Sequence, residues 1–526
     1  MIDIKLVKKA IFLTQQGKIS EAREIYSNLE KENPDNPDLM SIIGLFYVNI
    51  YDFEKAIETL EKAVNLKKTL GTISALGFAY YEQRNYKKSA EILEEAIKFG
   101  ANEDIYNQLI SSLFEIKNYA KAIEYSNKMY ELYPNDNRAI ANKIKSLTQQ
   151  GQMLEAEKLC VESLKKTPDA ANLWFHLGYL KELIYCDDRQ AKECYKAAAE
   201  LGAPEAFYNI AVSAQKLGEK EEAETYYKKM LEAFPNSEST KVSLGMCYLS
   251  EKKFKEGYDL FFQRDLTKSC AGCNNFWKVG DKIDNEIVVI CEQGFGDHIQ
   301  FARYLPFLPA EKINVATPKA LQRLFKINFP SINFIDYENI NPNMQAMRIT
   351  DLAYVLGMDF EHIPSSVGYL DAKTAEINNS KLKVGLCWEA GSAAIRTMIN
   401  RTIHIKCFEP LLNLENIQVY SFQKDDTLKG CEKYPQMINL AKDFNDFEDT
   451  AEALKAMDVV VSVDTSVAHL AGALGVKTYL LLPYATDWRW FNDKKTTPWY
   501  DSIEIFKQID SISWENPINR IVDKLC

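Results

Sequence analysis

The chain has 526 residues, 46% hydrophobic and 26% charged, which is the mix of a globular protein and a length beyond a single core. With 74 acidic against 63 basic residues the net charge is −11, and no dense Lys/Arg block occurs, which argues against nucleic acid or an anionic membrane as the partner of the whole surface. No apolar run is long enough to span a bilayer, and the first residues lack an apolar core with a cleavage site, so neither a membrane span nor a signal peptide is expected. Cysteines such as Cys160, Cys194, Cys247 and Cys291 sit singly in apolar patterns, which points to reduced core thiols and a cytoplasmic location.

Residues 1–264 carry a period of 34. Ala22, Ala56 and Ala90 are spaced by it, and Ala122 and Ala156 repeat the interval. Around each alanine recur an earlier small residue, a large apolar one four positions later, and often a proline further on. Gly44, Ala56 and Leu60 show the first part; Pro34, Pro168 and Pro235 show the last. Small residues let two antiparallel helices approach, large ones fill the gap, and proline ends the second helix. One such pair cannot bury its apolar face alone, so pairs must stack. The pattern resembles the tetratricopeptide repeat, with about seven copies and a degenerate eighth over 238–264. The resemblance implies an α-solenoid whose groove holds a peptide or protein partner; a spacer or self-association surface is the alternative.

At 265–285 the period stops. Gly272, Gly280, Asp281 and Asn285 mark a connector, which also holds Cys270-Ala-Gly-Cys273. That pair has metal or redox spacing but lacks a second pair and the flanking strand and helix that either role needs. Short apolar runs then alternate with helical stretches, which means α/β. A first lobe over 286–375 has predicted strands at 287–291, 313–316 and 333–335. A second over 382–510 has them at 383–388, 419–422, 459–463 and, as its last, 479–482. Helices are expected from 299, over 449–457, over 467–474, and at the C-terminus over 511–526.

The first strand runs into Gly294, Gly296, Asp297 and His298. The glycines allow a tight turn and close approach of a ligand to the backbone. Asp297 stands at a helix start, either as its cap or as a base, with His298 a second candidate. The strand 459–463 delivers Asp464, Thr465 and Ser466 to another helix, with His469 about one turn below. Free N–H groups and the helix dipole make such a corner an anion site, although an ordinary capped corner has the same residues. The loop 389–402 carries Arg396, Asn400 and Arg401. Arg401 and the 464–466 turn both lie at carboxyl ends of strands, so they could converge on a diphosphate. Asp425-Asp426 and the Asp443 to Asp446 stretch read as solvated acids rather than a metal site.

The segments GFGDHIQFARYLP, VGLCWEAGS, NRTIHIKCFEPLL and VDTSVAHLAGALG resemble GT-B glycosyltransferases of the heptosyltransferase kind. Taken whole, with the ending LLPYATDWRWF, the chain is similar to bacterial fusions of tetratricopeptide repeats to such an enzyme, including those that modify flagellin. The resemblance implies an α/β GT-B fold of two Rossmann-like lobes behind the solenoid, and an inverting, metal-independent transfer. It implies Asp297 as the catalytic base. It implies a donor pocket formed by Gly294, Gly296, Trp388, Arg401, Gln423, Asp464, Thr465, Ser466 and His469, with Arg401 near the donor phosphates and Gln423 near the nucleoside. A nucleotide sugar is then the co-substrate, no cofactor is needed, and the repeats recruit a protein acceptor. A lipid or polysaccharide acceptor, or a non-catalytic scaffold, are the alternatives.

Overall fold

The computed structural model describes every residue except 1–2, 101, 265–272, 365–366, 392–400, 425–432, 492–494 and 511–512. It divides into two compact units, Met1–Ala206 and Phe207–Cys526.

The first unit is a succession of helical hairpins, from Ile4–Gln15 paired with Ile19–Glu32 to Ala171–Tyr185 paired with Asp188–Glu200. The periodic alanines Ala22, Ala56, Ala122 and Ala156 are fully buried. The small residues do what their spacing predicts. A Cβ on Gly44 would lie 2.4 Å from Cγ of Leu60, one on Gly77 2.6 Å from Cδ2 of Leu93, and one on Gly178 2.8 Å from the Tyr195 ring. Each hairpin turns on a residue in the left-handed region: Gly17, Tyr51, Arg84, Lys117, Gly151 and Cys186. Gly218 and Lys252 continue the series in the second unit, which makes eight repeats among the described residues. Five of these turns lack glycine, so the turn position is invisible in the sequence although the backbone demands it.

The second unit takes in the last four repeat helices, Ala206–Lys216 (from its second residue), Lys220–Ala233, Glu238–Ser250 and Phe254–Phe261. Two sheets follow. Strands β1 (Glu286–Ile290), β2 (Lys312–Ala316), β3 (Asn333–Ile335) and β4 (Gln345–Arg348) pair in the order β3-β2-β1-β4, all parallel. Strands β5 (Leu382–Cys387), β6 (Ile417–Ser421), β7 (Ile438–Asn439), β8 (Val459–Val463), β9 (Thr478–Leu482), β10 (Thr496–Thr497) and β11 (Tyr500–Lys507) form a second sheet, ordered β10-β11-β9-β8-β5-β6-β7. It is parallel except where β10 meets β11. Strand β8 lies inside the sheet and all five of its residues are buried, as its unbroken VVVSV run requires. The strand at 479–482 is therefore not the last: β11 adds beyond it. Its YDSIEIFK sequence mixes polar and apolar residues, yet the strand is covered on both faces, since it buries the consecutive Ile505 and Phe506 as well as Tyr500 and Ile503.

The compact units part at 206/207 and not at 264/265, and the chemistry of the join explains why. The Arg264 guanidinium donates to Glu292 Oε1 at 3.0 Å, to Thr350 Oγ1 at 2.8 Å and to Asp351 Oδ1 at 2.8 Å. It also stacks on Phe261, 3.8 Å from the ring centre. Arg348 donates to the Phe262 carbonyl at 2.8 Å, and Tyr258 stacks on Tyr354 at 5.7 Å. The described part of the connector is docked as well: Phe276 bridges Ala346 on the edge of β4, and Trp277 is buried against Phe262. The last repeat thus shares a core with the first sheet. Cys160, Cys194, Cys247 and Cys291 are buried, and burial pushes the Cys160 and Cys291 thiols up to about 12.

Candidate functional site

Strand β1 ends in a sharp turn. The left-handed residue there is Gln293, with φ 72°, whereas Gly294 is extended at φ −91°. The turn thus needs no glycine at 294. The helix starts at Phe295, earlier than the sequence suggests, and runs to Ala302. Asp297 is its third residue, and its Oδ2 accepts from the Gly294 N–H at 3.1 Å. That is half of a capping box, since Gly294 has no side chain to return the bond, and it ties down the helix start. His298 is buried, with Nε2 at 3.0 Å from the Glu292 carbonyl, which makes it a packed histidine of this turn. Burial lowers its pKa. Glu292 is buried too; burial and then the Asp351 charge raise its pKa.

Strand β8 ends in the second turn. Thr465 is the N-cap of the helix Ser466–Ala473, but its hydroxyl bonds none of the helix N–H groups. It lies instead 3.2 Å from Ser462 Oγ and 3.8 Å from Cys387 Sγ. The first amides of this helix therefore face the turn without a side-chain cap, the arrangement that favours an anion. Asp464 is buried beside them. Its Oδ2 accepts from Arg401 at 3.4 Å and its Oδ1 lies 3.6 Å from His469 Nε2. Burial would raise its pKa, but His469 and Arg401 pull it down to about 2. His469 also meets the Tyr500 hydroxyl at 3.0 Å and stacks on Trp490 at 4.9 Å.

The two turns meet. A Cβ on Gly296 would lie 2.7 Å from His469 Cδ2, so glycine here admits the imidazole of the opposite turn and not a ligand. Arg489, from the turn Trp488–Trp490 after β9, spans the same junction. It forms an ion pair with Asp297, another with Asp487 at 2.8 Å, and a hydrogen bond to Gln293 Oε1 at 3.3 Å. Burial alone would lower its pKa; the Asp297 and Asp487 carboxylates hold it up. Two polar groups, Asp297 with Arg489 and Arg401 with Asp464 and His469, thus stand on either side of the Gly296–His469 packing contact.

Other expected residues stand further from this chain. Gln423 is buried after β6, its Oε1 accepting from the Glu389 N–H at 3.0 Å, so it fixes the start of the loop that leads to Arg401. The Trp388 indole is buried in the apolar core with Ile403, Ile405 and Phe408, and packing accounts for it. Ser466 is half-buried at the helix start. Arg396, Asn400, Cys270 and Asp425-Asp426 lie outside the described residues. Asp446 caps the helix Phe447–Lys455 and pairs with Arg323 at 2.7 Å, which gives it a structural task. Arg489, Trp490 and Tyr500 were missed as site residues; the signal was the polar residue enclosed by tryptophans in DWRW.

Comparison with known proteins bears on the repeats. Residues 37–69, 69–100 and 205–237 each match the tetratricopeptide repeat, so the chain carries these repeats. It is similar to Protein FlbA of Caulobacter vibrioides, at 23% identity over 74% of this chain and 73% of that protein. Among solved structures, a tetratricopeptide repeat protein of Parabacteroides merdae is 16% identical, covering 46% of this chain and 97% of its own, with a TM-score of 0.41. Yeast Tom70 is 18% identical, covering 47% and 54%, with a TM-score of 0.40. Among the described residues no helix is long and apolar enough to cross a membrane.

Proposed function

We propose that the second unit is a GT-B glycosyltransferase that moves a sugar from a nucleotide donor to a hydroxyl of a protein brought in by the repeats. One observation carries the reading. Asp297, from the carboxyl end of β1, faces the Asp464 turn with Arg401, from the carboxyl ends of β8 and β5, across the Gly296–His469 contact. Ligands of parallel sheets bind at such strand ends. The donor diphosphate would lie on the free amides of the helix Ser466–Ala473, with Arg401 adding charge-assisted hydrogen bonds. The acceptor hydroxyl gives its proton to Asp297 as its oxygen attacks the anomeric carbon from the face opposite the diphosphate, which inverts that centre. The acceptor is a protein in this reading because tetratricopeptide grooves hold peptides, and flagellin is the case that the sequence resemblance names.

The test is turnover of a panel of nucleotide sugars, followed as released nucleoside diphosphate. Asp297→Asn should lower transfer by a factor of about 100 or more without weakening donor binding. Arg401→Ala should weaken donor binding by about tenfold in calorimetry. Undiminished transfer by Asp297→Asn overturns the assignment. A scaffold without activity is the second reading, and one observation favours it: capping and ion pairing already occupy Asp297. Absence of turnover with every donor and acceptor class, lipid and polysaccharide included, would establish that reading instead.

A further inference from the structure

The Arg489 guanidinium is buried, and its partners approach from both sheets. Asp297 and Gln293 belong to the turn after β1, Asp487 to its own turn. Trp488 packs 4.7 Å from its central carbon, and Trp488 is itself held by Phe261 at 6.0 Å and Phe301 at 6.4 Å. The Nε of Arg489 is buried with no hydrogen-bond partner among the described residues. An unmade bond on a buried cation is costly and marks a group with room for a further acceptor. The neighbouring Trp490 stacks on His469, which lies 3.6 Å from Asp464, so the guanidinium stands beside the turn where the diphosphate would rest.

Glycosyl transfer makes two opposite demands on this spot. A carboxylate locked to a guanidinium is a poor proton acceptor. A departing diphosphate needs a cation. Moving one cation meets both. We propose that Arg489 is shared between Asp297 and the donor: it pairs with Asp297 until a nucleotide sugar binds and then passes to the diphosphate, freeing the carboxylate to act. The inference rests on the glycosyl-transfer reading above. In the step itself the acceptor O–H proton goes to Asp297 and the acceptor oxygen bonds to the anomeric carbon. The bond from that carbon to the phosphate oxygen breaks, and its electron pair leaves on the diphosphate beside Arg489 and Arg401. Donor then binds before acceptor, because the base is masked until the phosphates arrive.

A double-mutant cycle on the full chain tests this. The probes are UDP, GDP, ADP, CDP and inorganic pyrophosphate, titrated by calorimetry. Competition for one cation predicts that Asp297→Asn binds the responding diphosphate about tenfold more tightly than the wild type. Arg489→Gln should bind it about tenfold more weakly, and the double variant should match Arg489→Gln. Equal affinity of wild type and Asp297→Asn overturns the shared cation and leaves the transferase reading standing. A gain from Asp297→Asn that persists in the Arg489→Gln background also overturns it, since mere removal of negative charge then explains the gain. No binding of any probe to either the wild type or Asp297→Asn overturns both. Should Arg489→Gln fail to fold, Arg489→Lys replaces it in the cycle, and the Asp297→Asn comparison decides by itself.

Discussion

Gly296→Ala is the sharpest probe of the junction between the two sheets. The added Cβ would sit 2.7 Å from His469 Cδ2 and 3.3 Å from Nε2, where ordinary contact begins at 3.4 Å. The imidazole would have to retreat by about 0.7 Å, and three contacts oppose that. Tyr500 holds Nδ1 at 3.0 Å, Trp490 stacks on the ring at 4.9 Å, and Asp464 lies 3.6 Å from Nε2. Overpacking of this kind costs about 1–3 kcal/mol. For a unit of this size that is a melting shift of roughly 1–2 °C per kcal/mol. The assay is thermal unfolding with and without a nucleoside diphosphate, and Gly391→Ala, whose Cβ meets nothing within 4 Å, is the control. Gly296→Ala should melt several degrees lower and lose part of its nucleotide response, because the ring it displaces supports Asp464. A variant that melts and binds like the control would refute the packing argument and, with it, the claim that the two turns are held in register by this contact.

Two further outcomes follow from the geometry. Asp464 has a pKa of about 2 against the ordinary 3.8, so its contribution is complete above pH 3.8 and disappears as the pH falls toward 2. The shift corresponds to about 2 kcal/mol, to be read as a fall in urea midpoint between pH 5 and pH 2 that Asp464→Asn lacks. In the first unit, Gly44→Ala would place a Cβ 2.4 Å from Leu60 Cγ and should lower stability by roughly 1–3 kcal/mol. Gly71→Ala, in the helix Leu70–Glu82 and 3.9 Å from Thr69 Oγ1, should instead raise it by about 0.5–1 kcal/mol, so urea unfolding should show opposite signs for two glycines of adjacent repeats.

The repeats were legible because their packing is local: a buried alanine and the small residue facing it recur at a fixed interval. The continuous apolar runs of β1, β5 and β8 were equally clear, since a strand covered on both faces needs such a run. Strand β4 was missed because QAMR is polar at both ends; its Gln345 and Arg348 are buried with tertiary partners, the Lys282 and Phe262 carbonyls. Strand β11 was missed because Asp501, Ser502 and Glu504 break its apolar run, although both of its faces are covered. At the site, Asp297, Arg401 and Asp464 could be named from strand-end positions; Arg401 pairs with Asp464, whereas Asp297 pairs with Arg489 on the other side of the Gly296–His469 contact. The role of Gly296 was assigned to a ligand when a histidine 173 positions away in sequence fills the space. The DWRW stretch marks Arg489, but its pairing could not be read, since Asp297 and Gln293 lie far upstream.

The join at Arg264 has a consequence for how such a chain can be recombined. The 34-residue period suggests a removable cassette ending near 264, yet cutting there would strip Glu292, Thr350 and Asp351 of their shared guanidinium and expose Tyr354 and Trp277. The Trp488–Trp490 turn would lose Phe261 from beneath it. An exchange of recognition modules that keeps this core intact leaves the final hairpins in place and makes its seam upstream of Phe207. At this joint the final hairpin and the first sheet share one core and behave as one piece.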